Sequence, residues 1–397
     1  MLCLLTNQIT HITVNINIEK TETSNENEPN IFEFILIYSR CLNDLTFFQN
    51  SSREYLTISS LNSSHRNSLS STLTKLIINV NSFDDCLYLL NGCLQSLSTL
   101  IIRIYKIDRS SSMIDNTKKL FKLKCFSLST DQYVSDYDKQ VVPLLQRMLN
   151  LEELTLFLSV TRTKSSYIDG NQLYNEVLNY MPQLNKFIFN IHTHIMTDYS
   201  KKKIDLPSNS DIRNSFIKRG IQSIDTCSDD KLINNRGNCH VYSLPYQFNE
   251  FLFMGSCFKG GRFEKVRLLL MHDNRPFEHK LFKIISQDFP FLQRLIILND
   301  IPKKNKQDHS STLITFNHLF ELDIMNVHPD YVLQFLYDKN TRLPCLTNLI
   351  VSYRILVNVT NNFTNDGTRL NCSKIKSLVT YQTFVDTQNF YSYFPSL

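Results

Sequence analysis

Two histidines near the middle of the chain have the residue type and spacing of metal ligands. His192 and His194 alternate along a predicted strand, so both side chains point to one face. A zinc site needs three or four ligands, and the sequence offers no third ligand beside this pair. The opposite face holds Phe187, Phe189 and Ile191, which predicts that the histidines lie on the open face, in contact with water. The sequence therefore assigns no metal ligand here.

A second group of ionisable residues could take part in acid–base chemistry. His272 and His279 bracket Asp273 and Glu278. However, the segment from Asp273 to Pro276 is typical of a turn that precedes a helix. Glu278 would then lie in the first turn, where a carboxylate is stabilised by the helix dipole. We expect structural roles for these residues.

Glycine and lysine runs could bind phosphate or nucleic acid. Gly260-Gly261 lacks the flanking glycines and the Lys-Ser/Thr of a phosphate loop, so it predicts a turn before a strand at Phe263. The dense basic runs Lys201–Lys203 and Lys303–Lys306 both fall in predicted loops, where solvated charge is the expected state. Nucleic-acid contact is the alternative, but no aromatic residues are interleaved as stacking platforms. A net charge of +5 over 397 residues does not predict a nucleic-acid partner either.

Familiar catalytic and metal-binding signatures are absent from the sequence. It contains no Gly-x-Ser-x-Gly, no His-Glu-x-x-His and no Cys-x-x-Cys. We therefore assign no catalytic residue, no cofactor-binding residue and no cofactor, and we expect no enzymatic activity. Several of the ten cysteines fall inside predicted strands and helices, where cysteine behaves as a small apolar residue: Cys86, Cys93, Cys125 and Cys345.

The amino terminus predicts an intracellular protein, either cytoplasmic or nuclear. The apolar run Met1–Leu5 is too short for a signal peptide. No segment approaches the roughly 20 apolar residues that cross a bilayer. We therefore expect reduced thiols and no membrane partner.

The elements that must position all these residues follow from a recurring phrase, Leu-x-x-Leu-x-apolar-x-apolar. Successive copies begin 24 to 33 residues apart, except for an interval of 79 residues between Leu184 and Phe263. Leucine-rich repeats have periods of about 20–29 residues, with a strand and a helix in each. The first residues of the phrases are Ile9, Leu42, Leu73, Leu97, Leu123, Leu151, Leu184, Phe263, Leu292, Leu319, Leu346 and Ile375.

Segments with helical spacing lie between the strand phrases, and several end at a proline that cannot continue a helix. The sequence thus predicts an α/β leucine-rich-repeat-like solenoid over 1–397, curved, with a parallel sheet on one face and helices on the other. Strand–helix units of this kind bury their apolar faces by stacking on their neighbours. The predicted helices are Asp84–Asn91, Lys139–Met148, Leu173–Tyr180, Phe277–Ser286 and Tyr331–Tyr337.

An irregular excursion at about 196–262 interrupts the repeats. There the sequence predicts a helix at Asp211–Lys218 and another at Gln247–Ser256. Between them, Gly220–Asp225 and Cys239–Ser243 could pair as a hairpin around Asn234–Gly237. Two polar stretches, Glu19–Pro29 and Asn50–Ser71, are predicted to be loops. Near the end, Phe394-Pro-Ser-Leu397 opens a repeat that the chain does not complete, so we expect either a part of a longer protein or the product of a gene that has lost its flanks.

Several phrases give the chain a resemblance to a known family. They are Asp211–Gly220, Cys239–Tyr246, Phe277–Pro290, His309–Phe316 and Thr360–Asp366, in that order. Together they resemble a large family of F-box proteins with irregular leucine-rich repeats, expanded in bdelloid rotifers. The resemblance covers nearly the whole chain and is most specific from residue 151 onward.

The resemblance implies a place in a ubiquitin ligase. In such proteins an amino-terminal F-box binds the Skp1 adaptor of a cullin ligase, and the repeats are presumed to select the substrate. Here no Leu-Pro-x-Glu-type helix precedes Ile9. The resemblance therefore implies the substrate-selecting part, without a visible site for Skp1.

Taken together, the sequence predicts a non-catalytic protein-recognition scaffold. Its expected ligand is a protein, bound on the concave face of the sheet or on the loops. The alternatives are a receptor without its F-box that still acts in ubiquitin-dependent degradation, and an enzyme built on a repeat scaffold.

Overall fold

Parallel β-strands joined by short helices make up most of the described chain. The structure, a computed structural model, describes residues 8–17, 31–50, 56–58, 70–108, 118–197, 204–304, 312–381 and 388–397. The fold is mixed α/β, with large parallel sheets that do not close into a barrel within these residues. The chain divides into two compact units, Met1–Thr226 with Val241–Ser243, and Cys227–His240 with Leu244–Leu397. One continuous repeat domain stays a prediction.

In the first unit, seven described strands lie side by side in the order of the sequence, and each pairs in parallel with the next. Parallel neighbours need a crossover between them, which the helices and loops supply. The strands are β1 His11–Asn17, β2 Asp44–Asn50, β3 Lys75–Ser82, β4 Thr99–Lys106, β5 Cys125–Thr130, β6 Glu153–Arg162 and β7 Lys186–Met196.

The strands β8 Ile224–Ser228 and β9 Arg236–Ser243 follow, and the remaining strands belong to the second unit. Six described strands form its parallel sheet, in the order β10-β11-β12-β14-β16-β17, and β13 pairs with β15. They are β10 Glu250–Met254, β11 Leu268–His272, β12 Arg294–Asn299, β13 Ile314–Thr315, β14 Glu321–Val327, β15 Thr341–Arg342, β16 Asn348–Val351 and β17 Ser377–Val379.

The same backbone hydrogen bonds recur where successive strands begin. The carbonyl of Gln293, just before β12, accepts the N–H groups of both Phe320 and Glu321 at 3.0 and 3.2 Å. In eleven places, the carbonyl of the residue just before a strand accepts two consecutive N–H groups from the start of the neighbouring strand in the same way. The acceptors are Thr10, Asn43, Thr74, Ser98, Lys124 and Glu152 in the first unit, and Asn249, Arg267, Gln293, Phe320 and Thr347 in the second.

This fixed start aligns the second apolar residue of every phrase. In the first unit the aligned residues are Ile12, Leu45, Leu76, Leu100, Phe126, Leu154 and Phe187. In the second unit they are Phe251, Leu269, Leu295, Leu322, Leu349 and Leu378. Because side chains alternate along a strand, alignment of these residues places every core side chain on one face and every intervening side chain on the other.

Six of the described helices occupy segments that the apolar spacing predicts, shifted by a few residues, whereas four lie where no helix was predicted. Helix α2, for example, covers Phe83–Tyr88 and buries Phe83, Cys86 and Leu87, and a kinked turn at Leu89–Cys93 follows it. The helices are α1 Ile31–Tyr38, α2 Phe83–Tyr88, α3 Tyr137–Leu145, α4 Gly170–Glu176, α5 Asn209–Ile217, α6 His279–Asp288, α7 Pro329–Leu336, α8 Tyr353–Val359, α9 Asp366–Cys372 and α10 Gln388–Tyr393. Helices α2 to α7 are the six at predicted segments, and α1, α8, α9 and α10 are the other four. A short 3₁₀ turn, Leu178–Tyr180, follows α4.

The predicted hairpin turn is present in the excursion. Ile233 and Arg236 form an antiparallel bridge. Asn234 and Asn235 between them both have positive φ, at 50° and 60°. Asparagine tolerates this left-handed region, and two such residues make the tight turn that hairpins favour. Asp229 then donates its N–H to the carbonyl of Asn238 at 2.9 Å.

The helix predicted at Gln247–Ser256 is wrong. Residues Glu250–Met254 form β10, which pairs in parallel with β11. Phe251 and Met254 are buried as strand residues, with Phe251 at the height of Leu269. A short apolar run does not distinguish a strand from a helix by its periodicity, so packing decides.

The strand predicted to begin at Phe263 begins later. Phe263 is buried in the loop before the sheet, and β11 starts at Leu268. The phrase is therefore Val266-x-x-Leu269-x-Met271, with Val266 as its first residue. The predicted loop Glu19–Pro29 lies outside the described residues, as do most of Asn50–Ser71 and all of Lys201–Lys203.

Leu154 and Leu295 test the alignment of the core. Both are fully buried in their sheets, so Leu154→Ala and Leu295→Ala should each lower the free energy of unfolding by about 2–5 kcal/mol through cavity formation. Lys304→Ala, at an exposed loop residue, should change it by less than about 0.5 kcal/mol. Urea unfolding of the three variants measures the difference. Equal losses in all three would contradict the core assignment.

Candidate functional site

A row of half-exposed side chains crosses the open face of the second-unit sheet. Leu270, Ile296, Asp323, Ile350 and Val379 are paired in register on β11, β12, β14, β16 and β17, and we call them the open row. Their neighbours along each strand point into the core, so these five side chains point away from it. Val379, at the end of the row, is 41% exposed. The row is thus an apolar strip with one carboxylate.

Charged residues lie beside the open row, at the starts of the same strands. Arg294 donates through Nε to Glu321 Oε1 at 2.6 Å, across two neighbouring strands. Leu268 and Asn348 continue this line in register on either side. An exposed pair of this kind contributes about 1 kcal/mol or less to stability. Its main effect is to give the apolar strip a polar margin.

Asp323 is the ionisable member of the open row. Its Oδ1 accepts the N–H of Met325 at 3.0 Å, which supports the irregularity in pairing between β12 and β14. Burial raises the pKa of Asp323, and nearby Glu321 raises it further, whereas the Met325 N–H and Arg294 lower it. Burial between Ile296 and Ile350 disfavours the charged form of this carboxylate. A cation on a bound ligand would stabilise that charged form.

The first-unit sheet has a comparable open face. Lys75 pairs with Asp44, and Lys186 with Glu153, each at 2.8 Å between neighbouring strands. The next line of residues inward is half-exposed and carries no charge. Its members are Thr46, Ile77, Ile101, Ser127, Thr155 and Ile188, paired in register.

The expectation that His192 and His194 are in contact with water is wrong. Both are buried, at 1% and 5% exposure, although they do lie on the face opposite Phe189 and Ile191. The ring of Tyr133, from the segment after β5, lies 5.8 Å from His192 and 5.7 Å from His194 between centroids. In the described part of the chain, no group of three or more His, Cys, Asp or Glu residues could hold a metal ion.

Three of the four acid–base candidates near the start of α6 form hydrogen bonds with other segments. Asp273 accepts the N–H of Ser256 at 2.6 Å. Glu278 precedes α6 as its N-cap and accepts the N–H of Lys304 at 3.1 Å. The His279 ring hydrogen-bonds at one nitrogen to Gln334 Oε1, at 3.2 Å. Its other nitrogen lies 3.2 Å from the carbonyl of Thr312. Each group is occupied in joining neighbouring segments.

Lys303 is not the solvated charge that its basic run predicts. Its Nζ lies 5.6 Å from the centre of the Phe282 ring and 6.0 Å from that of Tyr331, and it donates to Gln334. Burial lowers the pKa of Lys303 to about 8, against the opposite effect of Glu278 and Asp330. Such an amine is partly neutral at mildly alkaline pH.

The glycine pair at Gly260-Gly261 holds a carboxylate of the protein. Gly261 donates its N–H to Asp288 Oδ2 at 2.9 Å, at the end of α6. Gly260 has φ of +123°, which side-chain residues rarely adopt. The predicted turn is not present at this pair, because Gly260 and Gly261 lie in an irregular segment, and the strand that follows starts at Leu268.

Sequence reasoning missed two features. Asp323 occupies the middle position of Leu322-x-Ile324, which marks it as an open-face residue, but a single acid in that position gave no distinct signal. The second is the contact between Cys227 and Cys257, whose sulfur atoms lie 2.7 Å apart. Thirty residues separate them along the chain, so no spacing motif reveals the pair.

His240 is a buried histidine with a lowered pKa. Its ring stacks on Phe251 at 4.9 Å, and Nε2 lies 3.0 Å from the carbonyl of Phe253. Burial lowers its pKa to about 4, partly offset by that hydrogen bond. The imidazole is therefore neutral in the folded protein at neutral pH.

Comparisons with known proteins do not indicate a function, so a proposal must rest on the geometry of the structure. No family model matches the chain, and no curated protein shows significant similarity to it. Along the described residues, no helix has both the length and the apolar character to cross a membrane.

His240 should make stability depend on pH. Between about pH 6.5 and pH 4 the unfolded chain binds a proton at this residue and the folded chain does not, so the contribution is present above pH 6.5 and is lost as pH falls. The loss should reach about 3 kcal/mol, from a pKa lowered from 6.5 to about 4. His240→Phe keeps a ring against Phe251 and cannot titrate. Urea unfolding from pH 7 to pH 4.5 should give a shallower decline for the variant, and parallel declines would contradict the assignment.

Proposed function

We propose that this protein is a non-catalytic recognition scaffold of the leucine-rich-repeat type, which binds another protein on the open face of its parallel strands. The observation that carries the proposal is the open row, because it places four aliphatic side chains and one carboxylate in line on a rigid sheet. Aliphatic patches with polar margins are typical of protein-binding surfaces.

The regular start of the strands supports the repeat architecture. The first apolar residue of a phrase precedes its strand by two residues, as Leu292 precedes Arg294 and Leu346 precedes Asn348. Pairs of N–H groups that donate to one carbonyl recur with the same regularity. Helices such as α6 and α7 follow their strands and bury one side, as a strand–helix unit requires.

The positions of the ionisable groups support binding rather than catalysis. Asp273, Asp288 and Glu278 each accept a hydrogen bond from a backbone N–H group. A general acid or base must instead be within reach of a substrate atom in a cavity. These carboxylates have a structural task already.

The chemistry of the open row defines the ligand. Leu270, Ile296 and Ile350 favour aliphatic or aromatic side chains, and Asp323 favours a lysine or arginine between them. The ligand is therefore a peptide segment or protein surface with one basic residue flanked by apolar ones. A ubiquitin ligase that contains Skp1 is implied by the sequence resemblance alone.

Binding should be lost when the open row is changed. Peptides selected from a random library on the wild-type protein should bind Ile296→Glu at least about tenfold more weakly, since a central apolar contact is replaced by a charge. Leu333→Glu is the matched control, because Leu333 is 42% exposed on helix α7, away from the sheet face. Circular dichroism and urea unfolding check that both variants are folded.

Two outcomes of this binding experiment would contradict the proposal. One is equal peptide binding by the wild type and Ile296→Glu, and the other is an equal weakening of binding by Leu333→Glu. If Ile296→Glu does not fold, Val379→Glu supplies the same test at the exposed end of the row. Isothermal titration calorimetry gives the affinities.

Asp323 should select for a basic residue in the ligand. Asp323→Asn keeps the oxygen that accepts the Met325 N–H but removes the charge. Peptides selected on this variant should lose their enrichment in lysine and arginine, and wild-type-selected peptides should bind it about threefold to tenfold more weakly at low salt. Unchanged enrichment would show that the carboxylate does not face the ligand.

A further inference from the structure

Two cysteines in the second unit have their sulfur atoms in contact. Cys227 lies on β8 and is 6% exposed, and Cys257 lies in the turn after β10 and is half-exposed. Their Sγ atoms are 2.7 Å apart. We propose that Cys227 and Cys257 are a redox modification site, at which a small-molecule disulfide converts the two thiols into a reversible internal disulfide.

Each cysteine is held in place by a buried carboxylate. Asp229, two residues after Cys227, binds the Arg275 guanidinium and accepts the N–H of Asn238 at 2.8 Å. This fixes the hairpin that carries Cys227. The contact between the two sulfur atoms therefore involves a cysteine on an anchored segment of the backbone.

The turn that carries Cys257 is fixed in the same way. Asp273 Oδ2 accepts the N–H of Ser256 at 2.6 Å, and Asp273 Oδ1 accepts that of Arg275 at 3.1 Å. A side chain at Gly255 would bring its Cβ within 3.2 Å of the Asp273 carboxylate, so glycine leaves room for this approach. Both cysteines are thus anchored in the same neighbourhood, around Asp229, Asp273 and Arg275.

The reaction proceeds by thiol–disulfide exchange in two steps. The half-exposed Cys257 loses its proton, attacks one sulfur of the small disulfide and releases one small thiol. Cys227 then loses its proton and attacks the Cys257 sulfur of the mixed disulfide, which releases the second small thiol. Two protein thiols are oxidised to one disulfide, and one small disulfide is reduced to two thiols.

The surroundings make this a slow, reversible site rather than a catalytic one. The hydrogen bond with Cys227 and burial raise the pKa of Cys257, and Asp229 and Asp273 raise it further. The thiolate is the reactive form, so little of it is present at neutral pH. A cysteine that acts as a catalytic nucleophile needs a lowered pKa instead. The site does not depend on the proposed binding function.

Oxidised glutathione added to the folded full chain tests the proposal. After acid quenching, alkylation and digestion, mass spectrometry should find a peptide pair linked through Cys227 and Cys257, about 2 Da lighter than the reduced pair. Cys41 and Cys345 are exposed and should carry glutathione, which shows that the oxidant was active. Dithiothreitol should restore the thiols. The oxidised chain should also unfold at a higher urea concentration, because the cross-link restricts the unfolded state.

Two variants separate the two steps. Cys227→Ser removes the resolving thiol, so the glutathione adduct should accumulate on Cys257. Cys257→Ser removes the accessible thiol and should leave Cys227 unmodified. Neither variant should show the oxidant-dependent rise in the urea midpoint.

Two results would overturn the proposal. One is a wild-type chain that keeps a stable glutathione adduct on Cys257 without a link to Cys227. The other is a chain in which both cysteines stay reduced while Cys41 and Cys345 are modified. The peptide-binding assay with Ile296→Glu is independent of both.

Discussion

The parallel register of the strands depends on one repeated interaction, a backbone carbonyl that accepts two consecutive N–H groups from the next strand. Thr74, for example, accepts from Ser98 and Thr99, and Thr347 accepts from Lys376 and Ser377. Because side chains alternate along a strand, a slip of one residue would turn the core leucines outward. The shared carbonyl prevents that slip at the place where each strand begins. Both the buried columns and the open faces follow from this start.

The open faces then acquire a fixed order of chemistry. The first outward residue of a strand is often charged and pairs with its neighbour, as Lys75 does with Asp44 and Arg294 with Glu321. The second outward residue is often aliphatic, as Ile77 and Ile296 are. In-register stacking converts this two-residue alternation into a charged line and an apolar line across each sheet. A surface for recognition thus arises from the same register that builds the core.

The periodicity of apolar residues predicts those features of the fold that depend on neighbours in the chain. It fails for features that depend on contacts with distant segments. It indicates the strands and helices correctly over most described segments, because each has its own apolar spacing. It fails for β10, where Phe251 and Met254 are compatible with either element until β11 pairs with them. It also fails for the burial of His192, since Tyr133 comes from a separate segment. Asp323 needed the register of three strands before it could be seen as part of a row.

Carboxylates join successive parts of the chain at a nearly constant separation. Asp85 accepts the N–H of Ile58, Asp288 that of Gly261 and Asp330 that of Lys303, and in each pair the residues are 27 residues apart. That interval matches the spacing of the strand phrases, so each acid holds a segment one phrase away. Asn371 does the same with the N–H of Leu343, 28 residues away. These hydrogen bonds hold loops of varied length at a regular interval along the sheet, so that irregular units can stack.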